Sequence, residues 1–218
     1  MHLRNALRRT AIVVAVALSG ASVQLTALAD TGFEYEIERV RRSDLPHSWR
    51  PGCPVGPKRL RLLIVSHWGF DGEVKMGRLV VARNKAGPIV RVMRRMFRAE
   101  YPIKRMQLVD EYGGSDRRSM NANNTSAFNC RTATGSSSWS EHAYGRAIDV
   151  NPVQNPYVSP SGRVLPKRGR PFVDRSRRHP AMIRAGDRVV SAFASIGWSW
   201  GGSWSSVKDY QHFSQTGR

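Results

Sequence analysis

Apolar residues recur along the chain in two patterns, which predict two kinds of element. Residues 60–65 and 78–82 are short apolar and β-branched runs separated by a glycine-rich turn, so they predict a pair of strands. From Pro88 onward the apolar residues recur at helical spacing. The apolar face of this predicted helix carries Ile89, Met93, Met96, Phe97 and Tyr101. The other face carries Arg91, Arg94, Arg95 and Arg98, which we interpret as a solvated face.

The middle of the chain is more polar. Pro102 is expected to end the first helix, and residues 106–109 are the next predicted strand. Residues 111–141 are rich in Gly, Ser, Asn and Thr, and we interpret them as a loop too polar for the core. Loops of this length in compact domains are often functional.

The last third of the chain repeats the alternation of strand, loop and helix. Residues 147–150 predict a short strand, and a loop rich in Pro and Arg follows as far as about Pro180. A second helix is predicted between Asp187 at its N-terminal end and a capping Gly197. Its predicted buried residues are Val189, Val190, Phe193 and Ile196.

Residues 1–29 have the pattern of a signal peptide. Their basic residues, Arg4, Arg8 and Arg9, precede an apolar run at 11–18 that is too short to cross a bilayer as a helix. The small-x-small triplet at 27–29 predicts a mature chain that begins near Asp30 and is exported by the general secretory route. The arginine pair leaves twin-arginine export as an alternative.

The chain is strongly basic. Its 218 residues carry a formal charge of +19, which falls to +16 when the three arginines of the predicted signal peptide are removed. Lys and Arg are scattered and no nucleic-acid-binding motif stands out, so we expect no nucleic-acid partner. Together with export, the charge favours attraction to an anionic cell-wall surface, while simple solubility stays open as the other explanation.

The part of the chain that follows the predicted signal peptide is long enough to form one domain with its own core. Residues 30–59 contain four prolines and show no sustained period, so we interpret them as an N-terminal arm.

Cys53 and Cys130 either pair in an oxidising compartment or stay as two thiols. Pairing would contribute roughly 4 kcal/mol by closing a long loop.

Two separated motifs carry the candidate chemistry. His142 and Asp149 lie within Ser-Glu-His-Ala-Tyr-Gly-Arg-Ala-Ile-Asp, and Asp209 and His212 follow some sixty residues later. Two imidazoles and one carboxylate from His142, Asp149 and His212 would leave a tetrahedral Zn²⁺ one open position, as in catalytic zinc sites. Asp149 lies in an apolar strand, where an unpaired carboxylate is costly. Gly145 would let the chain turn so that the ligands converge.

These motifs resemble those of the zinc D-alanyl-D-alanine carboxypeptidase family. This family includes vancomycin-resistance D,D-carboxypeptidases and phage or sporulation L-alanyl-D-glutamate peptidases. The resemblance is carried by residues 140–149, by the tryptophan-glycine segment 198–204 and by residues 209–213, and it covers roughly residues 60–213. It implies an α+β, hedgehog/DD-peptidase-like domain over residues 60–218, with a small, mainly antiparallel sheet and packed helices.

The resemblance also implies roles for individual residues. His142, Asp149 and His212 would bind one Zn²⁺ per chain, and Asp209 would be the catalytic base. Arg131 resembles the family arginine that steadies the developing oxyanion. In the expected mechanism Asp209 takes a proton from the attacking water and delivers it to the departing amine.

Other residues near the motifs have competing interpretations. Glu141 is a rival base, although an extended segment would point it away from His142. Ser140 is a candidate hydrogen-bond donor behind the ligands, and Trp200 a candidate contact to substrate or ligand shell. Trp198, Trp200 and Trp204 alternate and belong either to the core or to a cleft wall. We expect surface or loop positions for His47, His67 and His179.

The function expected from the sequence is a secreted, extracytoplasmic, cell-wall-associated zinc metallopeptidase acting on peptidoglycan stem peptides. D-alanyl-D-alanine carboxypeptidase activity is the first expectation, and L-alanyl-D-glutamate endopeptidase activity is the alternative. A non-catalytic zinc-containing envelope-binding protein also stays open, since the same kind of fold occurs in hedgehog signalling domains. We expect a monomer without a membrane span once the signal peptide is removed. The bond that is cut stays open, because it depends on loops 111–138 and 151–180.

Overall fold

The computed structural model describes residues 32–217, in which short antiparallel sheets combine with three α-helices. This mixture confirms the predicted α+β class. The predicted signal peptide, residues 1–29, lies outside the described residues. None of the helices between residues 32 and 217 is long and apolar enough to cross a bilayer.

The largest sheet has three antiparallel strands in the order β1-β2-β3. They are β1 (Tyr35–Arg39), β2 (Leu60–Trp68) and β3 (Val74–Ala82). The β2–β3 pair confirms the predicted strands, which extend further toward the turn than predicted. β1 was missed in the segment interpreted as an arm, because all five of its residues are exposed and give no buried period. Backbone pairing with β2 forms this strand.

One face of this sheet packs against helix α1 (Ala86–Arg98). The buried residues of α1 include Ile89, Met93, Met96 and Phe97, and they confirm the predicted apolar face. The sheet contributes Leu63, Val65, Leu79 and Val81 to the same core. Each such side chain stabilises the fold by about 1.5–3 kcal/mol through burial. The arginines at 91, 95 and 98 are exposed, as predicted.

The opposite face of the sheet is covered as well. Leu60, Leu62 and Val80 pack there in a second core with Leu45, Val55, Phe128 and Cys130, among others. Burial on both faces explains why the apolar runs of β2 and β3 are nearly continuous rather than alternating. Cys53 and Cys130 form a disulfide across 77 residues, so the first of the two alternatives left open by the sequence is present. The disulfide links the segment around Cys53 to this core.

The segment 111–141 is not the unbroken loop that was predicted. It contains helix α2 (Asp116–Asn121) and strand β5 (Asn124–Thr125), which pairs in parallel with β4 (Arg105–Met106). β4 is shorter than the predicted strand because a 3-10 helix begins at Val109.

The prediction that segment 111–141 is too polar for the core is also wrong. Asn123, Asn124, Thr125 and Ser126 are all buried. Their polar groups find partners: Asn124 Nδ2, for example, donates to Gln107 O and Ser119 Oγ, each at 3.0 Å. The polar composition of the segment therefore led to a wrong prediction, because a polar side chain can be buried when its hydrogen bonds are made inside the protein.

Two small sheets form the end of the domain that contains the candidate ligands. The first has the order β6-β11-β9, and the second has the order β10-β7-β8. Their strands are β6 (Ala147–Asp149), β7 (Tyr157–Val158), β8 (Val164–Leu165), β9 (Ser199–Trp200), β10 (Lys208–Asp209) and β11 (His212–Ser214). The predicted loop 151–180 thus contains the β7–β8 hairpin.

Helix α3 (Arg188–Ala194) packs behind these strands and confirms the second predicted helix. Asp187 is its N-terminal flanking residue, and Gly197 has the positive φ of 76° expected of the residue that ends such a segment. Phe193 on this helix stacks on Phe213 of β11 with ring centroids 4.0 Å apart. This contact anchors the strand that carries His212.

Candidate metal centre and active-site cavity

Strand pairing joins the two halves of the split motif. β11 pairs with β6 in antiparallel register, and His212 lies directly opposite Asp149. The next pair, Phe213 and Ile148, is fully buried, so the register is fixed by the core. Residues 63 positions apart in the sequence therefore meet side by side.

A tight turn brings His142 to the same place. Residues Glu141–Tyr144 form a 3-10 helix, and the Ser140 hydroxyl at its start accepts a hydrogen bond from the His142 backbone N–H at 3.3 Å. Gly145 ends the turn with a φ of 67°. A Cβ there would lie 2.6 Å from Ala82 N, so a side chain would have to displace the end of β3. Gly145 thus permits the turn, as predicted.

The three candidate ligands lie at distances that suit a tetrahedral metal site. His142 Nε2 is 3.3 Å from Asp149 Oδ2 and 3.3 Å from His212 Nδ1, and His212 Nδ1 is 3.1 Å from Asp149 Oδ1. Ligands about 2.0–2.1 Å from a tetrahedral Zn²⁺ are roughly 3.3 Å apart. The donor set and its spacing therefore fit zinc.

Hydrogen bonding prepares His142 for this role. Its Nδ1 is 2.5 Å from the carbonyl oxygen of Ala127, and because a carbonyl only accepts, Nδ1 must carry the proton. The lone pair of Nε2 then faces the other two ligands. An imidazole whose second nitrogen donates to a carbonyl is the usual arrangement at protein metal sites.

The cluster is buried and polarised. His142, Asp149 and His212 are 3%, 4% and 6% exposed. Burial alone would raise the pKa of Asp149, but its interactions with His142, followed by those with His212, lower its pKa well below the usual range. Asp149 is therefore held as a carboxylate, which is the form that binds a metal.

Asp209 stands beside this cluster in a different environment. It lies on β10 opposite Tyr157 of β7, and its Oδ1 is buried without a hydrogen-bond partner among the described residues. Burial, together with the negative charge of Asp149, raises the pKa of Asp209 to about 6. Gly201 packs closely against it, since a Cβ at that position would lie 2.7 Å from Asp209 O.

An open cavity of about 1120 Å³ exposes these groups to solvent. His142, His212 and Asp209 line it, together with the predicted site residues Arg131 and Ser140. Further lining residues include Glu141, Tyr144, Arg146, Tyr157 and Trp204. A substrate in this cavity would therefore contact the candidate base and the metal cluster at once.

Arg131 is held at the wall of the cavity. Its Nη2 lies 3.2 Å from Asp116 Oδ1, and its Nη1 donates to Thr132 O at 3.2 Å. The disulfide of the preceding Cys130 fixes the backbone. Nε of Arg131 is buried and makes no hydrogen bond within the described residues, so a donor remains for a ligand.

Trp200 and Trp204 differ from one another. Trp200 is buried in the core, donates from Nε1 to Tyr210 O at 2.8 Å, and is not among the residues that line the cavity. Trp204 does line it, with its ring centroid 5.6 Å from that of His212. A 3-10 helix at Gly201–Ser203 breaks the alternation on which the prediction relied. Trp200 thus supports the Asp209–His212 segment from behind.

Three further expectations need correction or qualification. The hydrogen bond seen at Ser140 is one that its hydroxyl accepts, whereas a donor was expected. Glu141 lies in a 3-10 helix rather than an extended segment, so it lines the cavity, where Oε1 pairs with Arg146 at 3.1 Å. His67 is buried in β2 and not on the surface.

Sequence reasoning did not single out Tyr157 or Arg146, which also line the cavity. Tyr157 is brought there by its pairing with Asp209, and no local motif marks it. Arg146 lies between two predicted ligands, at a position that the glycine turn and the β6 strand determine. Its place inside the motif was the one available signal.

A comparison with known protein families bears on this arrangement. A family model described as D-alanyl-D-alanine carboxypeptidase matches residues 134–215. The predicted family resemblance is confirmed. The matched segment contains the three candidate ligands and Asp209, whereas Arg131 lies just before it. This family match supports a hydrolase of the carboxypeptidase type. No curated protein and no solved structure matches the chain.

Proposed function

We propose that the protein is a secreted zinc-dependent peptidase that hydrolyses an amide bond in peptidoglycan stem peptides, with D-alanyl-D-alanine carboxypeptidase activity. The observation that carries this proposal is the cluster of His142, Asp149 and His212 beside a carboxyl oxygen of Asp209, Oδ1, that has no partner among the described residues. His142, His212 and Asp209 line one cavity. The family match over residues 134–215 supports the reaction class.

The metal would be held by His142 Nε2, a carboxylate oxygen of Asp149 and His212 Nδ1, at one Zn²⁺ per chain. When bound, Zn²⁺ supplies Lewis acidity, which polarises an amide carbonyl and eases the deprotonation of water. The ligands are already within contact of one another, so little rearrangement is required of the protein.

Asp209 acts as the proton carrier. Oδ1 accepts a proton from the attacking water and later delivers it to the departing amine. The absence of a partner for Oδ1 within the described residues leaves this oxygen available. Burial raises the pKa of Asp209 to about 6, which brings its basicity closer to neutral pH. A cation in the neighbouring cluster would favour the ionised form that accepts the proton.

Arg131 stabilises the negative charge that develops on the carbonyl oxygen. Its guanidinium lines the cavity, and its pairing with Asp116 limits its rotation. Trp204 and Tyr157 form apolar parts of the wall, where they exclude water and orient the peptide. The disulfide and the net positive charge suit an oxidising, anionic cell-wall environment, where we place the protein as a monomer.

The size of the cavity favours one alternative. An open volume of about 1120 Å³ exceeds what a terminal dipeptide requires, so an internal bond such as that between L-alanine and D-glutamate is a second candidate. A purely binding protein is disfavoured by Asp209, because burying a carboxyl oxygen that has no hydrogen-bond partner among the described residues is costly unless that oxygen has a use.

Digestion of purified muropeptides followed by mass spectrometry tests the proposal. We expect loss of a single alanine with the wild-type protein and release that is at least about 100-fold slower with Asp209→Asn. Splitting of the stem between its first two residues would instead assign the endopeptidase. If zinc binds and neither product forms, the peptidase assignment is wrong.

A further inference from the structure

A second, smaller cavity adjoins the one that contains the metal cluster. Its volume is about 230 Å³. It is lined by Val55, Arg59, Ala82, Arg83, Asn84, Tyr144 and Arg146. Tyr144 and Arg146 line both cavities, so the two adjoin at these side chains. We refer to this smaller cavity as the arginine pocket.

The arginine pocket is strongly basic. Three of its lining residues are arginines, and none is acidic. The guanidinium groups of Arg59 and Arg83 have no acidic partner within the described residues. Arg146 pairs with Glu141, which lies in the larger cavity and not in this one. At least two positive charges at the pocket are therefore not compensated by any acidic residue between positions 32 and 217.

The walls of the pocket are fixed by the fold. Ala82 N donates to Gly145 O at 2.9 Å, which ties the end of β3 to the turn that carries His142. Arg146 stacks on the ring of Tyr144 at 4.3 Å. Nε of Arg146 is buried and has no hydrogen-bond partner in the part of the chain that the structure describes. A buried donor of this kind calls for an acceptor, which residues 32–217 do not supply.

We propose that the arginine pocket binds a carboxylate of the substrate peptide that is distinct from the amide to be cut. This proposal rests on the proposed function, since it assigns a second contact to the same substrate. Guanidinium groups bind carboxylates with paired, charge-assisted hydrogen bonds, and the pocket is of a size for such a group. Because Tyr144 and Arg146 border both cavities, one extended peptide can occupy both.

Binding of matched peptides tests the assignment. Two stem peptides that differ only by a carboxylate or a carboxamide at one acidic position are titrated calorimetrically into the Asp209→Asn protein, which leaves the ligand cluster intact. We expect the carboxylate peptide to bind about tenfold more tightly, as for one charge-assisted hydrogen bond at a partly exposed site. In Asp209→Asn combined with Arg59→Gln and Arg83→Gln, this preference falls to about one.

The matched control replaces two exposed arginines of helix α1, Arg91→Gln and Arg95→Gln, with the same change in net charge. It is expected to keep the tenfold preference. The proposal is overturned if the wild-type pocket shows no carboxylate preference at any acidic position of the peptide. It is also overturned if the preference survives in the Arg59 and Arg83 double replacement, or if the Arg91 and Arg95 control loses it too. Binding of inorganic phosphate that depends on Arg59 and Arg83, without any carboxylate preference, would also contradict the substrate assignment.

Hydrolysis by the wild-type protein, measured in parallel, separates the two proposals. An arginine-dependent preference without hydrolysis would support the pocket and refute the peptidase assignment. Hydrolysis without such a preference would support the peptidase assignment and refute the carboxylate-binding role of the pocket. Single variants at Arg59 and at Arg83, checked by thermal unfolding, show whether a lost preference comes from the pocket or from misfolding, because each side chain is exposed.

Discussion

Asp149 and Asp209 are two carboxyl groups in one site, and their surroundings move their pKa values in opposite directions. Burial raises both values, but His142 and His212 compensate at Asp149 and bring its pKa far down. At Asp209 the burial and the charge of Asp149 outweigh the opposing effects of His212 and Gln211, so its pKa rises to about 6. A pair of carboxyl groups separated in this way is typical of a division of chemical roles.

The hydrogen bonds of the two groups show the same difference. Both oxygens of Asp149 contact an imidazole, at 3.3 and 3.1 Å. Oδ1 of Asp209 contacts no donor among the described residues. The first carboxylate is thus already organised as a ligand, whereas the second retains a lone pair for a proton.

The largest effect is expected from removing the ligand. In Asp149→Asn, loss of the charged ligand between the two histidines should reduce zinc affinity by more than about 100-fold and abolish hydrolysis. Metal content after dialysis and zinc titration against a competing chelator measure this. Asp174→Asn, at an exposed carboxylate that does not line the cavity, is the control and should bind about one zinc. Full zinc content in Asp149→Asn would contradict the ligand assignment.

Removing the proton carrier should separate metal binding from catalysis. Asp209→Asn is expected to lower the turnover number by about 100- to 10,000-fold, because general base catalysis is lost while the ligands remain. Initial rates on a stem peptide and the zinc content of the same sample give the two readouts. Equal loss of zinc and activity would place Asp209 among the ligands instead.

A smaller loss of activity is expected when Asp209 is shifted in position but not substituted. The Cβ of Gly201→Ala would approach Asp209 O to 2.7 Å and Asp209 Cβ to 3.0 Å, so the strand must shift. We expect the turnover number to fall about 10- to 100-fold with zinc retained, since small misplacements of catalytic groups are costly. Gly56→Ala, which meets no atom within 4 Å, is the matched control. Unchanged turnover in Gly201→Ala would show that the position of Asp209 is not critical.

The pH dependence of stability should show the smallest effect. Because the folded-state pKa of Asp209 is raised to about 6, its stabilising contribution is present below pH 3.8 and is lost as the pH rises through 6. In chelator, Asp209→Asn should therefore be about 1–3 kcal/mol more stable than wild type at pH 7.5, with no difference near pH 3.5. Denaturant unfolding across this range measures the difference.

Asp149→Asn is expected to change the stability of the protein in the opposite direction in the same experiment. The pKa of Asp149 is lowered, so its contribution is present above pH 3.8 and is lost only as the pH falls below that value. This variant should be less stable than wild type at neutral pH. Parallel pH profiles for the two variants would show that both carboxyl groups have the same environment.

Local sequence predicted the elements whose buried residues are apolar. The spacing of Ile89, Met93 and Met96 identified α1, and the run from Leu60 identified β2. The same reasoning failed for β1, whose residues are exposed, and for residues 123–126, which are polar and buried. In both cases the contacts that stabilise the segment are hydrogen bonds to distant strands and side chains, which leave no apolar period.

The sequence by itself determined the donor set: two histidines and two aspartates whose types and order suit a zinc site, and a glycine that permits the turn between them. Only the tertiary structure decided how these groups are used. The register of β11 against β6 places His212 opposite Asp149, and the 3-10 helix after Trp200 puts Trp204 rather than Trp200 at the cavity. The arginine pocket likewise arises where the end of β3 meets the Gly145 turn. Residue types are local properties, whereas which side chains share a cavity depends on pairings between segments far apart in the chain.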